Sequence, residues 1–360
     1  MYEYSHGGNA AFETGKGRLI DLSANINPLG IPANVRDAII REIPNSAHYP
    51  DSFSGRLREK IGEFEKISAD WIFCGNGASD IIFRLPRAVG AKKIMVTAPT
   101  FSDYERSARS YGAEVIYHRL SADNGFALDS SFAQAVADEN PDLVFICNPN
   151  NPTGKLTEVG LIQEILCVCK ETGGWVVVDE CFLDFAQQTG EHTSKVFLEG
   201  HPNLVVLKAF TKMFALPGIR LGYALSANRQ LIQNFYFHGA DWPVSNLAQA
   251  AGIAALEDAD DYIKQTVEYV SAERARIEKE LTQLGFKVFE ASANYVFFQS
   301  PYPFDLREKL DERGIRIRPC GNYRGLDSSY YRIAVSTNEN NTRALAAAKE
   351  IISQTGRDIK

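Results

Sequence analysis

Ala209-Phe210-Thr211-Lys212-Met213-Phe214-Ala215-Leu216-Pro217-Gly218-Ile219-Arg220-Leu221-Gly222-Tyr223 is the stretch around which the chain is organised. It is entered from one apolar run, Leu204 to Leu207, and left through another, Leu221 to Leu225; each reads as a buried strand. Between them a single lysine, Lys212, stands among small and apolar residues, and Arg220 follows it. Such a lysine is poorly solvated, which favours its neutral amine and makes it a better nucleophile toward a carbonyl. The planar fork of Arg220 suits an anion. Taken alone, Lys212 would read as a surface lysine at a sheet edge. Two segments upstream, Asn148-Pro149-Asn150-Asn151-Pro152-Thr153-Gly154 and Val178-Asp179-Glu180, argue against that.

Those segments lie in an alternating pattern. Apolar runs at Trp71–Cys74, Ile94–Thr97, Val115–Arg119, Leu143–Cys147, Trp175–Val178 and Leu204–Leu207 predict strands. Helical stretches near 33–42, 54–64, 81–89, 101–111, 130–138 and 161–171 accompany them. Near-continuous apolar strands suit a mostly parallel sheet covered on both faces. Functional groups then belong on loops beyond the C-terminal ends of the strands. Gly75-Asn76-Gly77-Ala78-Ser79-Asp80 follows one strand and opens a helix; its glycines allow a tight turn and its free N–H groups suit a phosphate. This turn, Asn151, Asp179 and Lys212 all fall at or just past strand ends, which points to one site. Asp179 could equally be a helix N-cap, and Arg318 and Arg332 could be surface arginines.

After a break at 240–245 the pattern predicts one long helical stretch, 246–284. Strands at Tyr295–Gln299, Arg316–Arg318 and Tyr331–Val335 follow, with helices near 305–313 and 341–353. The first forty residues, rich in Gly, Asn and Pro from Asp21 to Gly30, read as loop before the helix at 33–42.

Together the Asn151, Asp179 and Lys212 segments resemble the fold-type I, aspartate-aminotransferase-like family of pyridoxal phosphate (PLP) enzymes. The resemblance implies an α/β fold with a mostly parallel, seven-stranded sheet in a large domain, 45–245. A smaller α+β domain, built from both chain ends, would hold 1–44 and 246–360. It also implies that Lys212 holds the cofactor's aldehyde and is the catalytic residue. Asp179 would face the pyridine nitrogen, Phe101 would stack on the ring and Asn151 would contact its 3'-oxygen. Gly77, Ala78, Ser79, Thr211 and Arg220 would hold the cofactor phosphate. Two residues depart from the common pattern: Phe182 stands where many members carry tyrosine, and Ala209 where many carry serine or threonine.

Within that family, His6-Gly7-Gly8-Asn9, Ser23–Gly30, Tyr49-Pro50-Asp51, Asp179–Phe185 and Asn322–Arg332 look like the threonine-phosphate decarboxylases of cobalamin biosynthesis. Those are themselves similar to histidinol-phosphate aminotransferases. This branch implies a small phosphorylated amino acid as substrate, held by His6, Asn25, Tyr49, Asn151, Arg318 and Arg332. Tyr49 would come from the neighbouring subunit of a homodimer. The reaction implied is decarboxylation of O-phospho-L-threonine; the alternatives are a histidinol-phosphate-type aminotransferase and a decarboxylase preferring O-phospho-L-serine. A PLP-binding scaffold without turnover fits poorly, because lysine, aspartate and asparagine are all present.

Composition narrows the classes further. With 45% hydrophobic and 23% charged residues, the chain reads as an ordinary soluble globular protein. A net charge of -7 gives no electrostatic footprint for nucleic acid. No apolar run approaches a bilayer span, and Met1 to Asn9 lacks a signal-peptide core. The six scattered cysteines match no zinc pattern and suit a reducing cytoplasm, so no metal site is expected.

Overall fold

Runs such as Leu143–Cys147 and Trp175–Asp179 are apolar at both alternate sets of positions, so they are stable only in a sheet covered on both faces. The computed structural model, which describes residues 7–8 and 19–358, builds such a sheet. The strands are β1 Ile20–Asp21, β2 Ile72–Gly75, β3 Lys93–Ala98, β4 Glu114–Arg119, β5 Leu143–Cys147, β6 Trp175–Asp179, β7 Leu204–Ala209 and β8 Gly222–Leu225. They continue with β9 Lys287–Phe289, β10 Tyr295–Gln299, β11 Ile315–Arg316, β12 Arg318–Pro319 and β13 Tyr330–Ala334. The helices are α1 Ala33–Glu42, α2 Gly55–Glu65, α3 Ala78–Val89, α4 Ser102–Tyr111, α5 Ser130–Glu139, α6 Val159–Thr172, α7 Thr189–His192 and α8 Phe210–Met213. Then come α9 Arg229–Phe237, α10 Asn246–Ala255, α11 Ala259–Gln283, α12 Leu306–Asp311 and α13 Asn338–Asp358.

The 7-stranded sheet has the order β2-β8-β7-β6-β5-β3-β4. The pairs β7–β6–β5–β3–β4 are parallel, and β8 runs antiparallel to both of its neighbours. Every strand but β8 therefore ends at the same edge. Val144, Ile146, Val176 and Val178 enter one core; Leu143, Phe145, Val177 and Leu207 enter the other. α3, α4 and α9 cover the second face through Ile81, Tyr104 and Phe235. α5, α6 and α10 cover the first through Phe132, Ile165 and Ala251.

A 4-stranded antiparallel sheet, β12-β13-β10-β9, shares the first core through Tyr295, Phe298 and Ile333. β1 pairs in parallel with β11, so the N-terminal segment joins the C-terminal part of the chain.

Several expectations change. Ile20 and Asp21 form a strand where loop was expected. The single helical stretch 246–284 is two helices, because Asp258 leaves the helical region at φ -123 and ψ 32. Asp260 and Asp261 then open α11, where carboxylates favour a helix start. The strand expected at 316–318 is two short ones: Arg316 pairs toward β1, Arg318 toward β13, and buried Ile317 makes the crossing. Neither α9, capped where Asn228 accepts from Leu231 N at 3.0 Å, nor β9 was anticipated.

Candidate active site

The shared edge of the parallel strands sets the site. A cavity of about 320 Å³ opens beyond it. β2 ends at Gly75 and turns into α3, bringing Ala78 and Ser79 to the cavity. β3 ends at Ala98 ahead of Phe101, β5 at Cys147 ahead of Asn151, β6 at Asp179, and β7 at Ala209 ahead of Thr211 and Lys212. From the smaller sheet side come Asn25, Arg318 and Arg332. With Arg220, these make eleven of the expected residues that line one cavity.

Gly77 sits behind that lining. Its φ is +78, and a Cβ there would stand 2.5 Å from Arg220 Nη2, so glycine lets the guanidinium pack on the turn. A Cβ at Gly222 would stand 2.5 Å from the Ala78 amide. Both glycines therefore keep the start of α3 open to an anion, with Arg220 beside it. Arg220 donates to the Pro217 carbonyl at 3.2 Å and makes no ion pair among the described residues.

Asp179 is buried. Its Oδ2 accepts from the Tyr104 hydroxyl at 2.6 Å, and its Oδ1 accepts from Cys181 N at 3.0 Å. Burial pushes its carboxyl above the ordinary range, against the opposing pull of those bonds. A cation placed before it would reverse that balance. The local bond to Cys181 is cap-like, yet the side chain also faces the cavity. Tyr104 escaped the sequence reading; its position three residues after Phe101 on α4 was the available signal.

Lys212 is held in α8 and keeps some exposure through the cavity. Burial, then the charges of Arg332 and Arg220, lower its pKa from 10.5 to about 8. Its Nζ lies 5.7 Å from the centre of the Phe182 ring.

Arg318 and Arg332 are register partners across β12 and β13, 7% and 5% exposed. Like charges placed opposite one another are unfavourable unless something negative lies between them. Arg332 Nη2 donates to the Ser23 carbonyl at 2.9 Å and Nη1 to Asn151 Oδ1, while its Nε is buried without a partner among the described residues. Arg318 donates to Asn322 Oδ1 at 3.0 Å and lies over Tyr323. Asn25 Oδ1 is likewise buried without a partner among the described residues. The unmatched Arg332 N–H, in a residue that lines the cavity, fits an anionic ligand, whereas the unmatched Asn25 oxygen calls for a donor.

Two expected residues stand apart. Tyr49 is 80% exposed and stacks on Trp242 with centroids 4.4 Å apart, away from this cavity. His6 lies outside the described residues. Cys147 and Cys181 also line the cavity, and burial pushes both thiols up. All six cysteines are free. No cluster able to hold a metal occurs among the described residues, and no described helix is long and apolar enough to cross a membrane.

Comparison with known proteins agrees with this geometry. The family described as aminotransferase class I and II matches residues 18–348. Threonine-phosphate decarboxylase of Salmonella typhimurium is 34% identical, the match covering 98% of each chain. A histidinol-phosphate aminotransferase of Caldanaerobacter subterraneus is 31% identical over 92% of this chain and 93% of its own. The crystal structure of the histidinol-phosphate aminotransferase from Clostridium acetobutylicum superposes with a TM-score of 0.87 at 32% identity, covering 93% of this chain and 100% of that one. Matched over nearly its whole length in sequence and in fold, the chain belongs to the aminotransferase class I and II family.

Proposed function

We propose that this chain is a PLP-dependent carboxy-lyase that converts O-phospho-L-threonine to (R)-1-amino-2-propanol O-phosphate and CO2, a step toward a corrinoid nucleotide loop. The observation that carries the reading is the pair of buried arginines, Arg318 opposite Arg332, facing the same cavity as Lys212 and Asp179. The 34% identical decarboxylase supports it.

Lys212 would hold the cofactor's aldehyde, Asp179 its ring nitrogen and Asn151 its 3'-oxygen, with Phe101 against the ring. The α3 turn, Thr211 and Arg220 would hold its phosphate. Bound there, the cofactor supplies an electron sink for the bond broken at the substrate's α-carbon. The protein decides which bond that is. Arginine forks grip phosphate well, so Arg318 and Arg332 anchor the substrate by its side chain, aided by Asn25, Asn151 and His6. Anchored that way, the substrate would have no arginine on its α-carboxylate, which would leave the carboxylate free to depart as CO2. A proton must take its place on the α-carbon. Lys212, with a pKa brought to about 8, can deliver it near neutral pH.

A second reading rests on the 31% identical aminotransferase: histidinol-phosphate-type transamination, with a keto acid as second substrate. O-phospho-L-serine is the alternative substrate within the decarboxylase reading, since one methyl group discriminates weakly. The reading also has the exposed Tyr49 reach the site of a second copy in a homodimer, in the cytoplasm. It divides the chain into a large domain, 45–245, and a small one built from 1–44 and 246–360.

Two variants test the site. Lys212→Ala should abolish turnover and the visible absorbance of the held cofactor. Arg332→Gln should weaken binding of the phosphorylated substrate at least tenfold while cofactor affinity changes little, since a charged hydrogen bond is worth about 1.5–3 kcal/mol. Full activity in the first, or equal losses in the second, would refute the assignments.

A further inference from the structure

Tyr295, at the start of β10, has no role in the scheme above, yet it touches Arg332, the loop that carries Asn151, and Phe182 beside Lys212. It is fully buried. Its hydroxyl donates to the Asn150 carbonyl at 2.8 Å, inside the loop that carries Asn151. The Arg332 guanidinium lies over its ring, 5.1 Å from the centroid. Its ring also meets Phe182 edge-on at 5.3 Å, and Phe182 in turn lies under Lys212.

These contacts are the inner end of a seam. Ser292 N donates to the Gly154 carbonyl at 2.8 Å, and Lys155 pairs with Glu290 at 2.6 Å. At Gly154, φ +76, a Cβ would stand 2.4 Å from Ala291 Cβ and 3.4 Å from the Tyr295 ring. The two segments approach too closely there for a side chain at position 154. The 150–155 loop belongs to the large parallel sheet, whereas Arg332 belongs to the 4-stranded sheet. Without the seam, the distance between Asn151 and Arg332 would depend on how two separate sheets happen to settle.

We propose that Tyr295 is a positioning residue: it ties the Asn150–Asn151 loop to the face of Arg332 and so sets the phosphate-binding guanidinium against the cofactor side of the cavity. The inference rests on reading Arg332 as a phosphate anchor. The tyrosine supplies both halves of the tie, a hydroxyl for the loop and an aromatic face for the cation. Phenylalanine would keep only the face, and methionine neither.

The test uses the cofactor-loaded protein and two readouts. One is calorimetric binding of inorganic phosphate; the other is KM against kcat for O-phospho-L-threonine. Tyr295→Phe should weaken phosphate binding and raise KM by about threefold, and Tyr295→Met by about tenfold, as expected for losing one neutral hydrogen bond and then a buried cation–ring contact. kcat should fall far less than KM rises, and the cofactor's dissociation constant should stay within about twofold of wild type. Combined with Arg332→Gln, neither Tyr295 change should add to the loss. Additive losses in the double variants, unchanged phosphate binding in Tyr295→Phe, or cofactor release rising in step with KM would each overturn the inference. Because Tyr295→Phe preserves the ring and its packing, it remains decisive even where Tyr295→Met fails to fold. Should wild type release no CO2 while phosphate binding still responds to Tyr295 as expected, the decarboxylase reading fails and this inference stands.

Discussion

Replacing Lys212 with methionine should make the cofactor-free protein more stable, and only below about pH 10. Burial and the neighbouring Arg332 and Arg220 bring the amine from 10.5 to about 8. At 1.36 kcal/mol for each tenfold change in proton affinity, that is a penalty of roughly 3 kcal/mol on the charged form. Solvent reaching Lys212 through the cavity reduces it, so about 1–3 kcal/mol is expected at pH 7. The sign follows from linkage. Between pH 8 and 10.5 the unfolded chain holds the Lys212 proton and the folded chain does not, so stability rises with pH across that window. The cost is complete below pH 8 and gone above 10.5. Methionine has a straight side chain of similar reach and no charge, so it carries no such cost. Urea unfolding of both proteins at pH 7 and at pH 10.5 measures the gap. It should narrow to roughly 0.5 kcal/mol or less from the titration term at the higher pH. A gap that stays constant across the window, or a variant less stable at pH 7, would show that Lys212 titrates normally and would refute the argument.

Two other changes probe the supports of the site. Tyr104→Phe removes the 2.6 Å bond to Asp179 and leaves that buried carboxylate harder to ionise, so cofactor affinity should fall by about tenfold, read from cofactor fluorescence. Glu65 is buried, binds Lys195 at 2.6 Å and Tyr223 at 2.7 Å, and neighbours buried Lys208; burial opposes its charge, but Lys208 and Lys195 outweigh it and hold its carboxyl at about 2. Glu65→Gln should therefore cost about 3–5 kcal/mol in urea unfolding at pH 7, and the difference should shrink as pH falls from 4.5 toward 2, where wild type also loses the charge.

What the sequence made legible was whatever it repeats locally. The parallel strands announce themselves because a strand buried on both faces must be apolar throughout, as in Leu143–Cys147. The placement of Lys212, Asp179 and Asn151 at strand ends followed from the same pattern. Contacts made by distant segments left no such trace. Tyr104 reaches Asp179 from 75 residues away, and Tyr295 reaches Asn150 from 145. The pairing of β1 with β11 and of Arg318 with Arg332 depends on sheet register, which short strands encode weakly. The break at 256–258 is hidden because it holds no glycine or proline to announce it; Asp258's backbone nonetheless leaves the helical region.

The most direct test of the proposed chemistry is CO2 release from O-phospho-L-threonine by the PLP-loaded protein, with and without 2-oxoglutarate. The account predicts equal release in both, at one CO2 for each (R)-1-amino-2-propanol O-phosphate formed. No release, with glutamate formed from 2-oxoglutarate and histidinol phosphate instead, would contradict it and place the chain among the aminotransferases.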